Sequence, residues 1–175
     1  MNPSFTLQQL NQLPFDAFVA ALGGIFEHSP WVAERTAGLR PFHSVAALAA
    51  VMAGEVDKAG YAAQIALIRA HPELAGKAAI RGELTMESTA EQAGAGLDQC
   101  SPEEFSRLNA LNRAYLDKFG FPFILAVRGY DRAAIIGEFE RRLASGVEEE
   151  RRECLQQIYR IAHLRLETIL PGETG

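Results

Sequence analysis

The chain has 175 residues, 48% of them hydrophobic and 22% charged, and a net charge of −5 at pH 7. That length predicts one domain, residues 1–175, with a substantial core. The acidic balance leaves no basic footprint for nucleic acid, and no apolar run approaches the roughly 20 residues that cross a bilayer.

Met1 to Thr6 lack a basic segment followed by an apolar one, so no secretory signal is expected, and Pro171 to Gly175 carry no peroxisomal address. Phe15, Phe18, Val19, Leu22 and Phe26 form the first apolar stripe at helical spacing. Pro14, Pro30, Pro72 and Pro102 stand where first helical positions would be, with Ser29 and Ser101 as N-caps of two of them. Val45, Leu48, Ala49 and Met52 make a second stripe, and residues 76–83, with Gly76 and Gly82, read as a loop.

Further on, Phe105, Leu108, Leu111, Ala114 and Phe119 step by three or four, with Tyr115 beside Ala114. Residues 120–129 form a compact apolar run containing Pro122, either a short extended segment or a buried crossing between helices. Ile135, Ile136, Phe139 and Leu143 repeat the helical pattern before Ser145-Gly146, and a long last helix is predicted from Val147 to Ile169. No alternation of period two persists, so the fold class is all-α, a single-domain bundle of roughly eight helices with a compact non-helical apolar segment near 120–129.

Four histidines (His28, His43, His71 and His163) are dispersed without His-x-x-x-His or Cys-x-x-Cys spacing, so no metal site is predicted. Cys100 and Cys154 are isolated thiols, which fits a reducing, cytoplasmic compartment without a disulfide framework. His71 precedes Pro72, which pushes it out of helical geometry to a junction. There it either caps the preceding helix or points into a cavity as a proton carrier. Ser88, Glu91 and Gln92 share one helical face. Ser88-x-x-Glu91 can be a capping box, unless Thr85 caps and frees both side chains for other work. Arg165 sits where Leu155, Ile158, Ile161 and Ile169 call for a core residue. A guanidinium there needs Glu91, Glu73 or an anionic ligand. His163 falls on another face, toward the surface.

Taken in order, these strings resemble the OHCU decarboxylase family over nearly the whole chain. They are Ser29-Pro30-Trp31-Val32-Ala33, Arg40-Pro41-Phe42, His71-Pro72-Glu73-Leu74, Ser88-x-x-Glu91-Gln92 with Ala95-Gly96-Leu97, Gly120-Phe121-Pro122-Phe123-Ile124 and Arg165-Leu166. The resemblance implies an all-helical homodimer that decarboxylates 2-oxo-4-hydroxy-4-carboxy-5-ureidoimidazoline to (S)-allantoin in urate breakdown, without a cofactor. It assigns His71 as proton donor acting with Glu91. It gives substrate contacts to Pro72, Ser88, Gln92, the backbone of Phe123, Ile124, Leu125, Ala126 and Val127, and Arg165. Glu73 stands where many members have Asp, at a position not expected to do chemistry. Without the resemblance, the residues describe a soluble helical domain with a possible site near His71.

Overall fold

The computed structural model describes residues 4–173, so the terminal readings at Met1 to Pro3 and at Thr174 and Gly175 lie outside the described residues. Among these residues every regular element is a helix: ten α-helices and one 3₁₀ turn, Leu97–Gln99. The count exceeds the expected eight because α1 (Leu7–Gln12) and α6 (Lys77–Ile80) are one or two turns long. None of the helices is long and apolar enough to cross a membrane.

The contacts divide the chain into two compact units, residues 1–70 with 158–175, and residues 71–157. The first unit holds α1, α2 (Phe15–Leu22), α3 (Trp31–Ala37), α4 (Val45–Lys58), α5 (Tyr61–Ala70) and residues 158–169 of α10 (Val147–Ile169). Thr6 opens α1 with a reciprocal capping box to Gln9, and Ser44 caps α4 by accepting the Ala47 amide at 3.0 Å. Phe18, Leu22, Leu48, Met52, Val56, Leu166 and Leu170 are buried in this unit. Arg40 donates to the carbonyls of Ala37 and Leu13 while lying 4.7 Å over the Phe18 ring. The segment before α1 meets the end of α10 here, because the Phe5 amide donates to the Ile169 carbonyl at 2.9 Å.

The second unit holds α6, α7 (Met86–Gly94), α8 (Pro102–Phe119), α9 (Arg132–Arg142) and residues 147–157 of α10. Ser101 and Glu104 close a capping box at the start of α8, with Pro102 in its first turn. Gly120 ends α8 at φ +76, donating its amide to the Leu116 carbonyl at 2.8 Å. Pro122 then disfavours helical geometry at Phe121, and residues 121–127 run irregular and fully buried. Tyr115 is their anchor: its ring lies 5.3 Å from Phe123 and 6.3 Å from Phe139, both edge-on, and Phe123 stacks on Phe139 at 3.7 Å.

Four local expectations are corrected. Phe15, placed in the first stripe, is 52% exposed at the opening of α2. Ser29 caps no helix; its hydroxyl turns back to donate to the Glu27 carbonyl at 2.9 Å, and Pro30 precedes α3. Residues 76–83 contain α6 as well as loop. Pro72 opens no helix, because Ala75 takes φ +49 three residues later, a left-handed conformation that stops any right-handed turn. Both bounds of α10 match those read from the periodicity.

Candidate active site

His71 lies immediately beyond the end of α5 and is buried. The backbone that follows is held by side-chain amides from two helices. Gln92 of α7 accepts the Ala75 amide at 3.0 Å and donates to the Glu73 carbonyl at 3.3 Å. Asn112 of α8, itself buried, donates to the Leu74 carbonyl at 2.8 Å. Three successive residues after His71-Pro72 are thus tied by helix-borne side chains. Gly76 lets this loop fold tightly, since a Cβ there would sit 2.7 Å from the Glu73 Cβ.

On α7 the choice between two caps is settled. Thr85 is the N-cap and its hydroxyl accepts the Ser88 amide at 3.2 Å, so Ser88 is inside the first turn and is not the cap. Ser88 and Gln92 are buried and Glu91 is half-buried. One face of α7 therefore presents a hydroxyl, a carboxylate and an amide, all in the same unit as His71.

The apolar run is tied just as closely. The Ile124 carbonyl accepts Arg142 Nη1 at 2.6 Å, and the Ile124 amide faces the Cys154 thiol. The Ala126 amide donates to Gln157 Oε1 at 3.0 Å. Between them Leu125 is buried, and among the described residues its N–H and C=O meet no protein partner. Such a peptide group, away from water, carries a penalty of about 1–3 kcal/mol unless something bonds it.

Behind this run lies a polar cluster that sequence reasoning missed. Arg142 is 0% exposed and pairs with Glu150, 1% exposed, at 2.9 Å. The Tyr115 hydroxyl donates to the same carboxylate, and Cys154 packs beside it. The Arg142 guanidinium also lies 4.4 Å from the Phe123 ring centroid. Burial pushes the Tyr115 phenol and the Cys154 thiol up from their ordinary values. Burial opposes the Arg142 charge, but the hydrogen bond to Glu150 above all holds it above its usual value. The signal was present: Arg142 follows Ile135 and Phe139 at helical spacing, the same register logic that drew attention to Arg165.

In the other unit, Arg165 is 5% exposed and forms an ion pair with Glu27, 2% exposed, at 2.9 Å. Its Nη1 also reaches the Gly24 carbonyl at 3.2 Å. Glu27, 138 positions away in the chain, is thus an anion that Arg165 meets, and the sequence reading did not name it. His163 is half-exposed and lies 3.4 Å from Glu167. Among the described residues no three His, Cys, Asp or Glu side chains gather as a cation site.

The chain as a whole is similar to known proteins. A family model described as OHCU decarboxylase matches residues 11–167. A 2-oxo-4-hydroxy-4-carboxy-5-ureidoimidazoline decarboxylase of Haloferax volcanii is 45% identical, over 92% of this chain and 94% of its own length. A mouse protein of the same name is 38% identical, over 93% and 91%. Among solved structures, an (S)-allantoin synthase superposes with a TM-score of 0.77 at 30% identity, over 95% of this chain and 54% of its own. An OHCU decarboxylase crystallised with (S)-allantoin shares the fold, with a TM-score of 0.63 at 17% identity over 79% of this chain and 89% of its own.

Proposed function

The chain belongs to the OHCU decarboxylase family, and from that premise we propose that it converts 2-oxo-4-hydroxy-4-carboxy-5-ureidoimidazoline to (S)-allantoin and CO₂ in urate degradation. It is a carboxy-lyase, and the observation that carries the reading is the family match over residues 11–167, which spans every residue assigned to the reaction.

The chemistry follows from the substrate. The carboxylate leaves a carbon that also bears a hydroxyl, next to the ring carbon that bears the ureido group. As the bond to CO₂ breaks, its electron pair passes into the unsaturated ring, which serves as the electron sink. A proton must then reach the ureido-bearing carbon on one face, while the hydroxyl gives up its proton and becomes a carbonyl. The protein has to fix one geometry, stabilise charge on the ring and deliver one proton.

His71 and Glu91 hold the hydroxyl and turn the carboxylate out of the ring plane, and His71 returns the proton to carbon. Ser88 and the remaining Nε2 hydrogen of Gln92 bond the ureido group. Pro72 lies at the substrate beside His71. Within 123–127, Leu125 contributes a polar contact: among the described residues its N–H and C=O are unpartnered, as are those of Phe123, while the Ile124 C=O and the Ala126 N–H are bonded to protein. Phe123 and Val127 border it, and the buried surroundings keep competing water away. Arg165 is assigned to the substrate on the family's pattern alone. The same pattern gives a homodimer working in the cytoplasm, with no cofactor, and sedimentation at two concentrations tests the assembly.

The test uses substrate generated freshly from urate and followed by circular dichroism, with His71→Asn in parallel. Rapid appearance of a single allantoin enantiomer with the intact protein, lost in His71→Asn, is the expected result. A trace matching spontaneous decay to racemic allantoin overturns the reaction. Equal activity in both proteins removes His71 from it.

A further inference from the structure

Two side chains outside the family's substrate set, Arg142 and Gln157, hold the peptides on either side of Leu125. Arg142 Nη1 donates to the Ile124 carbonyl at 2.6 Å, and Gln157 Oε1 accepts the Ala126 amide at 3.0 Å. A trans peptide is planar and carries its C=O and N–H on opposite sides. With the Ile124 carbonyl fixed on Arg142, the Leu125 N–H of the same peptide must point away from that guanidinium. With the Ala126 N–H fixed on Gln157, the Leu125 C=O must point away from α10. One donor and one acceptor of a single residue therefore leave the segment on its far side, buried and, among the described residues, without a protein partner. That pair matches the adjoining N–H and C=O along the edge of a cyclic ureide.

We infer that Arg142 and Gln157 are positioning residues, which set the two peptide planes through which Leu125 grips the amide edge of the ring. The inference rests on the decarboxylase reading of the site. Both residues are themselves held. Arg142 is fixed by Glu150 at 2.9 Å and by the Phe123 face at 4.4 Å. Gln157 donates its Nε2 to Glu153 at 2.8 Å, which leaves Oε1 turned to Ala126. Neither side chain touches the substrate in this scheme. Their effect is on where the Leu125 groups stand, and a displacement near 1 Å there is costly to turnover.

The experiment compares wild type, Gln157→Leu, Gln157→Glu with Glu153→Gln, and Arg142→Lys. Gln157 is only half-buried, so its variants should fold, and thermal melts verify this. Gln157→Leu should lower kcat/KM by roughly 100-fold, mainly through KM, the scale of a misplaced binding group. Gln157→Glu, combined with Glu153→Gln so that two carboxylates do not meet at 2.8 Å, keeps an acceptor for the Ala126 amide and should recover most of that loss. Arg142→Lys keeps the charge facing Glu150 but loses the planar fork that serves Glu150 and Ile124 together, and KM should rise again. A purely structural role would reduce the amount of active enzyme and leave KM unchanged. In ¹⁵N spectra the Leu125 amide should move when (S)-allantoin is added to wild type, and its ligand-free position should differ in Gln157→Leu.

An active wild type with unchanged KM in Gln157→Leu overturns the inference and leaves the reaction standing. An inactive wild type overturns the reaction. In that case the ligand-free Leu125 resonance still decides the matter, because an identical position in Gln157→Leu means Gln157 does not set that peptide.

Discussion

Gln92 of α7 accepts the amide of Ala75 at 3.0 Å, so one side chain of the polar helix face also holds the loop that carries His71. The amide of Gln92 is consequently a joint between two parts of the site, and only part of it is open to a substrate. Gln92→Leu leaves the buried Ala75 N–H without an acceptor, a loss of about 1–3 kcal/mol of stability. Gln92→Glu retains that acceptor and should lose less. Urea unfolding of the two variants checks the order, and equal stabilities would mean the bond contributes nothing.

Ala75 itself sits at φ +49, where an L-residue is strained by about 1–2 kcal/mol. Glycine removes that strain, while its freer unfolded chain takes back roughly 0.4–1 kcal/mol. Ala75→Gly should therefore stabilise the protein by up to about 1 kcal/mol without improving kcat/KM. A lower unfolding midpoint in urea would show that the backbone there is not under strain.

The Arg165–Glu27 pair separates a structural role from a substrate role. Removing one side chain takes this ion pair from a charge that stays buried, so Arg165→Met and Glu27→Met should each lose about 3–5 kcal/mol. The double variant should be much less destabilised than the sum of the two, since both charges of the pair leave together. If Arg165 stabilises charge developing on the ring, the double variant regains its fold but not its kcat. A rise in KM with kcat intact would restrict Arg165 to ground-state binding.

Alkaline stability reports on the cluster around Arg142. Burial raises the Tyr115 phenol and the Cys154 thiol above their ordinary values of 10.0 and 9.0. Above those values the unfolded chain releases protons that the folded chain keeps. The stabilisation is thus complete below about pH 9 and declines as pH rises further. Tyr115→Phe removes the phenol's share, so its stability should fall less steeply than wild type above pH 10. Below that pH the same variant should be weaker by about 1–3 kcal/mol, because Glu150 loses a buried donor. Urea midpoints across pH 7–11 check both halves, and parallel curves would exclude a buried neutral phenol.

Periodicity made α10 legible to its ends, since Gly146 precedes it, three glutamates fill its first turn and apolar residues recur through it. The polar face of α7 was legible for the same reason, as spacing alone sets which residues share a helix face. The partners of those residues were not. Glu27 lies 138 positions from Arg165, and nothing in either neighbourhood names the other. Gln92 and Asn112 bond backbone atoms, which every residue possesses, so the choice of Glu73, Leu74 and Ala75 leaves no mark in the residue types. Arg142 is a different case. Its register with Ile135 and Phe139 was visible, but Glu138, Glu140 and Arg141 around it read as one solvated surface.

The meeting of Phe5 with Ile169 has a consequence for how the molecule is made. A ribosome releases the chain from its first residue onward. Residues 71–157 are contiguous, so the unit they build has all its parts on hand once position 157 has emerged. The other unit is begun first and finished last, because residues 1–70 must wait for 158–175. A transcript cut short near codon 157 would thus encode residues 71–157 whole but without Arg165, beside five helices still lacking the part of α10 that belongs to their unit.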